Sequence, residues 1–245
     1  MQSMIEITIP ILNEESTLYT QVHKIRDYIN KNLYDLTPIK LILADNGSTD
    51  ATPNIARALE HDLEGISYLR LEERGVGRAL KASWTKSNAK IVGYMDLDLS
   101  TSLSNLRPAL KMLLTNKEDI VTGSRLAKES RVIGRSFFRS ATSYTFNLLL
   151  RIVFRISFSD GMCGFKFLKR SLLDELCTAG AVSDGWFFAT EILVTAEYLG
   201  FRVGDLPVEW TDNPNSKVKI INLAIEYLKA ITVLHHRLSN QRKVS

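Results

Sequence analysis

The sequence predicts an α/β fold, a mostly parallel sheet flanked by helices, and three observations point there. Short apolar runs alternate with helix-period stretches through the first half of the chain. Each run ends in a polar or glycine-containing loop, as strand ends do in repeated β-α units. One run, Ile91 to Met95, leads directly into two carboxylates, Asp96 and Asp98.

In chain order, Met4 to Leu12 reads as a strand, followed by Asn13-Glu14-Glu15-Ser16 and a helix over Thr17 to Asn30. Ile39 to Ala44 is a second strand. It ends in Asp45-Asn46-Gly47-Ser48-Thr49-Asp50, which also caps a helix whose first turn takes Pro53. Ile66 to Leu71 is a third strand, after which Arg74-Gly75-Val76-Gly77-Arg78 opens a helix through Trp84. Ile91 to Met95 is the fourth, Leu106 to Leu114 a helix, and Ile120-Val121 a fifth, short strand. Repeated units of this kind imply a parallel sheet with helices on both faces.

The paired carboxylates are the strongest chemical signal. Alternation along an extended backbone points side chains at i and i+2 the same way. A divalent cation would relieve the repulsion between Asp96 and Asp98, and carboxylate oxygens suit Mg²⁺ or Mn²⁺ when a substrate diphosphate completes the shell. Ligands on open α/β sheets bind beyond the carboxyl ends of strands, where this pair lies. The recurring strand-end polar groups, Asn13 and Glu14, then Asp45 to Asp50, suit a nucleotide. Asp45 can accept from a base N–H or a ribose hydroxyl, or serve as a turn and N-cap residue. Gly75-x-Gly77 can bring backbone N–H groups and a helix N-terminus to a phosphate, or form a tight turn. It is not the dinucleotide fingerprint, because Leu80 replaces the third glycine.

At 245 residues with 45% hydrophobic composition, the chain has ample material for a core. Its net charge of +4 is uneven. Lys117 to Arg170 holds 11 Lys or Arg against 4 Asp or Glu, and Lys217 to Ser245 holds 6 against 1. The basic excess favours an anionic partner for the second half: a phosphate, nucleic acid or an anionic membrane face. Cys163 and Cys177 lack metal-ligand spacing and suit a reducing compartment. No signal peptide pattern is visible at the start, and no apolar run is long enough to span a bilayer.

After Gly123-Ser124-Arg125, a basic, Ser-rich stretch to Arg139 reads as a loop. Ala141 to Phe158 is rich in Leu, Ile, Val, Phe and Tyr, interrupted by Asn147, Arg151 and Arg155. Two arginines at i and i+4 favour a membrane-surface helix over an ordinary core helix, which stays the alternative. Lys217 to Leu238 repeats apolar residues at helical spacing. It suits a membrane face, packing on the domain or contact with another subunit, so a homo-oligomer is open. The expected division is a catalytic domain over 1–216 and a basic amphipathic helix over 217–245.

Four segments occur in order: Thr8-Ile9-Pro10-Ile11-Leu12-Asn13-Glu14, Ala44-Asp45-Asn46-Gly47-Ser48-Thr49-Asp50, Met95-Asp96-Leu97-Asp98-Leu99-Ser100 and Asp160-Gly161-Met162-Cys163-Gly164-Phe165-Lys166. Together, from about Ile5 to Ile220, the chain resembles the polyprenyl-phosphate glycosyltransferases of glycosyltransferase family two, the dolichyl-phosphate mannose and glucose synthases and their bacterial relatives. The resemblance implies a GT-A fold, a nucleotide sugar (UDP- or GDP-hexose), a divalent metal, and inverting hexose transfer to a polyprenyl phosphate at the cytoplasmic face of a membrane.

By the same resemblance, Pro10, Asn13, Glu14 and Asp45 border the nucleotide, and Asp98 with Asp96 takes the metal and diphosphate; Gly75, from its place at a helix start, is read with the nucleotide-binding residues. Arg125 and Arg139 match basic residues expected around the donor diphosphate and the acceptor phosphate. Asp160 lies beside the active site and is the nearest candidate base, and Cys163 is structural. Two positions depart from the pattern. Asn46 stands for the second Asp of the usual Asp-Asp-Gly-Ser, and Ala189 for the Asp of the usual Phe-Asp-x-Glu.

The chemistry itself favours a phosphate acceptor. An alcohol acceptor needs a general base, whereas a phosphate monoester, with a second pKa of about 6, is largely dianionic at neutral pH. Asp160 can then orient or balance charge instead. Other readings are a catalytically silent nucleotide-sugar-binding module, for which Ala189 speaks, a family-two transferase with a non-lipid acceptor, and a nucleotidyltransferase. The last would want a Gly-rich basic segment after the first strand, and Pro10 to Ser16 supplies none. No nucleic-acid-binding motif accompanies the basic half, so nucleic acid is not an expected partner.

Overall fold

The computed structural model describes residues 5–36, 38–212 and 220–241, the last span with side chains from Glu226 onward. Met4 and the boundary between 216 and 217 lie outside the described residues.

The elements are β1 (Ile5–Ile11), α1 (Leu18–Asn32), β2 (Ile39–Asp45), α2 (Thr52–Asp62), β3 (Ile66–Arg70), α3 (Val76–Thr85), β4 (Ile91–Met95), α4 (Leu106–Leu114), β5 (Ile120–Ser124), β6 (Arg131–Ile133), α5 (Phe137–Phe154), β7 (Phe165–Lys169), α6 (Leu173–Ala179), α7 (Phe188–Tyr198), β8 (Val203–Pro207), β9 (Glu209–Thr211) and α8 (Ile220–Gln241). Through α4 the order matches the sequence reading, with strand and helix ends shifted by a residue or two. Pro53 sits in the first turn of α2, where its missing N–H costs nothing.

Seven strands form the main sheet in the order β3-β2-β1-β4-β7-β5-β8. β1 pairs in parallel with both β2 and β4, and β2 with β3. β7 is antiparallel to both β4 and β5. β4 and β5 therefore run the same way, and the residues that follow them, Asp96 and Arg125, leave the sheet at one edge. A second sheet pairs β6 with β9 in parallel. The basic stretch expected as a loop thus contains β6 and the start of α5.

Two apolar layers cover the sheet, as the doubly flanked reading requires. One packs Ile5, Ile7, Ile9 and Ile11 of β1 against Leu18, Val22 and Ile25 of α1 and Leu106 and Leu110 of α4. The other joins Leu80 and Trp84 of α3, Val92 and Tyr94 of β4, Phe188 and Ile192 of α7, and Tyr227, Ile231, Leu234 and Leu238 of α8. The described part of the C-terminal helix is therefore seated on the domain through its apolar side.

α5 departs from the ordinary amphipathic pattern. Its inward residues include Arg139, Ser143 and Asn147, which bond Asp212, Arg135 and the Gly161 N–H respectively. Its outward residues include Phe137, Phe138, Tyr144, Leu148 and Ile152, exposed by 88, 62, 62, 43 and 70%. The helix ends at Phe154, and Arg155 is a left-handed C-cap with φ 57°. Arg151 and Arg155 therefore do not share a helix face, which corrects the basis on which the stretch was read as interfacial. The exposed apolar stripe is a different and firmer observation.

Candidate active site

The carboxylate pair lies just past β4, but not by strand alternation. The strand stops at Met95, Leu97 and Asp98 form a turn, and Leu99 adopts a left-handed conformation with φ 55°. Asp98 is exposed, and its carboxylate accepts from the Ser100 N–H and hydroxyl, both at 2.9 Å. Asp96 is half-buried, and a methyl group at Gly164 would collide with its carboxylate, so that close approach requires glycine. Burial, then the charge of Asp98, pushes the Asp96 carboxyl up to about 7. A divalent cation would relieve both causes. No group of three or more His, Cys, Asp or Glu is poised for a metal among the described residues. The protein thus offers two carboxylates, a set that fits Mg²⁺ or Mn²⁺ when phosphate oxygens and water supply the rest.

The loops after β1 and β2 are tied together at the same edge, β1 and β2 being in register from Ile5↔Ile39 to Ile11↔Asp45. Asn13, left-handed with φ 54°, donates its N–H to Ser48 Oγ and accepts the Thr49 N–H on Oδ1. The Glu14 N–H donates to Thr52 Oγ1, and Pro10 is half-buried opposite Ala44. Asp45 is fully buried, and its oxygens accept from the Ser48 N–H, the Tyr68 hydroxyl and Arg70 at 2.8, 2.8 and 2.7 Å. Burial by itself would raise this carboxyl, but the bonds from Ser48, Tyr68 and Arg70 outweigh it and hold it low. Asp45 is thus committed within the protein, while its neighbour Asn46, 4% exposed, has Oδ1 without a partner among the described residues. Asn46 is the atom-level vacancy that the sequence offered only as a departure from a motif.

The Gly75-x-Gly77 turn does something other than cradle a phosphate. The Gly77 and Arg78 N–H groups donate to Gly185 O and Asp184 O, both at 3.1 Å. A side chain at either glycine would strike the 183–185 segment. These glycines let α3 and the segment before α7 approach, and those two donors of the helix start are already used.

Arg125 follows β5 and is fixed on several sides. Its Nε and Nη2 donate to Asp160 Oδ2 and Oδ1 at 2.7 and 2.9 Å, and its N–H donates to Oδ2 at 3.1 Å. The guanidinium lies 4.9 Å from the Trp210 ring centroid. Asp160 also accepts the Met162 N–H at 3.0 Å and is fully buried. Burial alone would push the Asp160 carboxyl up, but the charge and hydrogen bonds of Arg125 outweigh it and hold it at about 2. A carboxylate so paired is a poor proton acceptor, which tells against the expectation of a base and for its orienting Arg125. Arg139, in the first turn of α5, donates to both Asp212 oxygens at 2.9 Å.

Arg135 was missed in the sequence. It donates to Ser143 Oγ at 2.6 Å and forms no ion pair with a carboxylate among the described residues. Burial, then the charge of Arg125, pulls it down to about 10. Its place four residues before Arg139, on the far side of the α5 cap, was the available signal. Lys166 is fully buried too and donates to Cys163 O. Burial pulls its amine down to about 8 and pushes the Cys163 thiol up to about 11. That thiol is no nucleophile near neutrality, as expected.

Ala189 begins α7 but is 3% exposed within the second apolar layer. Its neighbour Thr190 donates to Gly161 O at 2.9 Å, which ties the helix start to the Asp160 segment. Glu191, 1% exposed, accepts the Val182 and Ser183 N–H groups and so holds the segment facing α3.

The chain is similar to known proteins in sequence and in fold. The family described as Glycosyl transferase family 2 matches residues 6–177. Glycosyltransferase AglD of Haloferax volcanii is 30% identical over 89% of this chain, which spans 34% of that protein. Dolichyl-phosphate beta-glucosyltransferase of Drosophila melanogaster is 30% identical over 87% of this chain and 69% of its own length. Among solved structures, glucosyl-3-phosphoglycerate synthase from Mycobacterium tuberculosis, in complex with Mn²⁺, UDP-glucose and phosphoglyceric acid, superposes with a TM-score of 0.69. It is 19% identical, covering 97% of this chain and 80% of that one.

Proposed function

This chain belongs to glycosyl transferase family 2, and on that premise we propose that it moves a hexose from a nucleoside-diphosphate sugar to a polyprenyl phosphate of the dolichyl type. The observation that carries the reading is the meeting, at one sheet edge, of the Asp96–Asp98 turn with the cluster of Arg125, Arg135 and Arg139. Relatives named for dolichyl phosphate and glucose support the acceptor and make glucose the first donor sugar to test.

In this reading Pro10 at the end of β1 and the loops bearing Asn13, Glu14 and Asn46 border the nucleoside, and Asp45 holds their shape. Asp98, with Asp96, would hold Mg²⁺ or Mn²⁺, which supplies positive charge beside the departing diphosphate. Mn²⁺ in the glucosyl-3-phosphoglycerate synthase complex supports that choice. An acceptor phosphate oxygen attacks the anomeric carbon as its bond to the diphosphate breaks, and the nucleoside diphosphate leaves. Direct displacement inverts the anomeric centre. Arg125, braced by Asp160, stabilises charge on the diphosphate side. Arg135, without a carboxylate partner among the described residues, and Arg139 receive the acceptor phosphate. A dianionic phosphate needs no base, which agrees with the low carboxyl of Asp160 and with alanine at 189.

Helix α5, which packs Leu150, Phe146 and Val153 on the domain yet leaves a second apolar stripe outside, supports contact with a membrane surface. Its apolar stripe faces outward while its polar side lines the arginine cluster, and it carries no acidic residue. A lipid acceptor could then keep its chain in the bilayer and present its phosphate to Arg135 and Arg139. No described helix is long and apolar enough to cross a membrane. The cytoplasmic face is part of the proposal.

The test is a donor screen: UDP- and GDP-hexoses with a short-chain polyprenyl phosphate and Mn²⁺, read as label extracted into organic solvent. Lipid-linked label from one donor supports the reading. Transfer only to water-soluble phosphates would replace it with the non-lipid alternative.

A further inference from the structure

The β9 strap joins the carboxylate turn to the arginine cluster. Thr101 and Trp210 face each other across an antiparallel bridge. The Thr211 N–H donates to Ser100 O at 2.8 Å and the Ser102 N–H to Glu209 O at 2.9 Å. Bonds flanking the pair in this way make Thr101 and Trp210 a non-hydrogen-bonded pair, so their side chains share one face at the closest cross-strand spacing. That face is the one over which the Arg125 guanidinium lies. Thr101 is 5% and Trp210 9% exposed, yet among the described residues Thr101 Oγ1 and Trp210 Nε1 both lack a hydrogen-bond partner.

An unpaired buried donor is costly, and replacing such a group by an apolar one of the same shape is neutral or stabilising. Two on facing residues of one bridge, Thr101 three residues beyond Asp98 and Trp210 beneath Arg125, are polar groups kept against stability next to the carboxylate turn. We propose that Thr101 and Trp210 form a subsite that reads a hydroxyl of the transferred sugar. A hydroxyl can accept from the indole N–H and donate to Thr101 Oγ1, pairing both orphans with one neutral group. A phosphate oxygen would instead be drawn to the charged N–H groups of the neighbouring arginines. The proposal deepens the glycosyltransferase reading and rests on it.

The experiment uses Thr101→Val, which keeps shape and removes the polar atom, and Trp210→Phe, which removes the indole N–H together with one ring of its packing. Each is read three ways: melting temperature, affinity for the nucleoside diphosphate alone, and kcat/KM with the nucleotide sugar. The expected result for Thr101→Val is an unchanged or raised melting temperature, nucleotide affinity within about twofold, and kcat/KM lowered about tenfold; Trp210→Phe should share the loss of kcat/KM at a melting temperature lowered by the space the ring leaves. A deoxy-sugar donor lacking the hydroxyl that is read should no longer distinguish wild type from variant. A lowered melting temperature with unchanged transfer would show a bound water only, and overturn the proposal. Loss of affinity for the diphosphate alone would assign the pair to phosphate and overturn it too. Unchanged values in all three would leave the pair without a ligand and equally overturn it. A wild-type chain that binds no nucleotide sugar would instead refute the reading beneath it.

Discussion

Replacing Asp160 by asparagine separates a brace from a base. The carboxylate is fully buried, takes two guanidinium bonds from Arg125 and two backbone N–H bonds, and leaves Arg125 only 9% exposed. Removing one member of a buried pair costs about 3–5 kcal/mol, because the remaining charge is uncompensated. For a chain of this length, 1 kcal/mol moves the melting temperature by about 2–4 °C, so Asp160→Asn is expected to lower it by roughly 6–20 °C. The proton linkage gives a smaller figure from the same side. The folded carboxyl lies at about 2 against an ordinary value of 3.8, a difference on the order of 2 kcal/mol. The folded state binds fewer protons there, so this stability is complete above about pH 4–5 and is lost as pH falls toward 2. Asparagine loses more than a proton can, since its amide also turns a donor toward the donors of Arg125. With Arg125 out of register, kcat should fall about 10²–10³-fold, with the shape of the pH–rate profile between pH 5 and 9 unchanged. Differential scanning and single-turnover transfer across that range supply both readouts. A variant that melts like wild type and loses only the acid limb of its profile would make Asp160 the base and refute the brace.

Three further outcomes follow from the same geometry. Excess EDTA should abolish transfer. Asp98→Asn should lower it at least about 10²-fold without changing the melting temperature, and more than Asp96→Asn does. Asp96→Asn should melt at or above wild type in metal-free buffer, because the native carboxyl there is buried beside another. Full turnover in EDTA would contradict the metal assignment. Leu148→Asp with Ile152→Asp should release the protein from anionic vesicles at unchanged melting temperature, since both side chains are exposed and each buried apolar group is worth about 1.5–3 kcal/mol. If light scattering shows instead that this pair dissolves a dimer, the stripe belongs to a second copy. Ala189→Asp should leave the single-turnover rate with a phosphate acceptor within about threefold. A gain of 10² or more, the size of general-base catalysis, would restore a base to that position.

Where local pattern decides structure, the sequence was a sound guide. Ile91–Met95 and Leu106–Leu114 have the bounds read from apolar runs and helical period. Residues whose surroundings come from distant chain were not legible in that way. Thr122 to Ser124 extend β5 because β8 pairs with all three and β7 with Thr122, although their own composition suggests a loop. β7 was hidden by Lys166, a buried cation in mid-strand. Gly75 and Gly77 looked like a phosphate turn because the segment they accommodate lies about a hundred residues away. The site residues named by motif do gather at one edge. Their counter-ions and braces, Asp212 for Arg139, Trp210 for Arg125, Tyr68 and Arg70 for Asp45, have no signature at fixed spacing and appear only with the fold. α5 carried the opposite lesson: its Arg spacing suggested an interfacial helix, while the outward apolar face supports that role on different grounds.

The most direct test of hexosyl transfer to a lipid phosphate is a single-turnover comparison of a polyprenyl phosphate with the matching polyprenol, the product identified by mass and its anomeric configuration by NMR. The account predicts one hexosyl phosphate lipid with the donor's anomeric configuration inverted, formed with the phosphate alone. Transfer to the free alcohol, or a retained configuration, would contradict it.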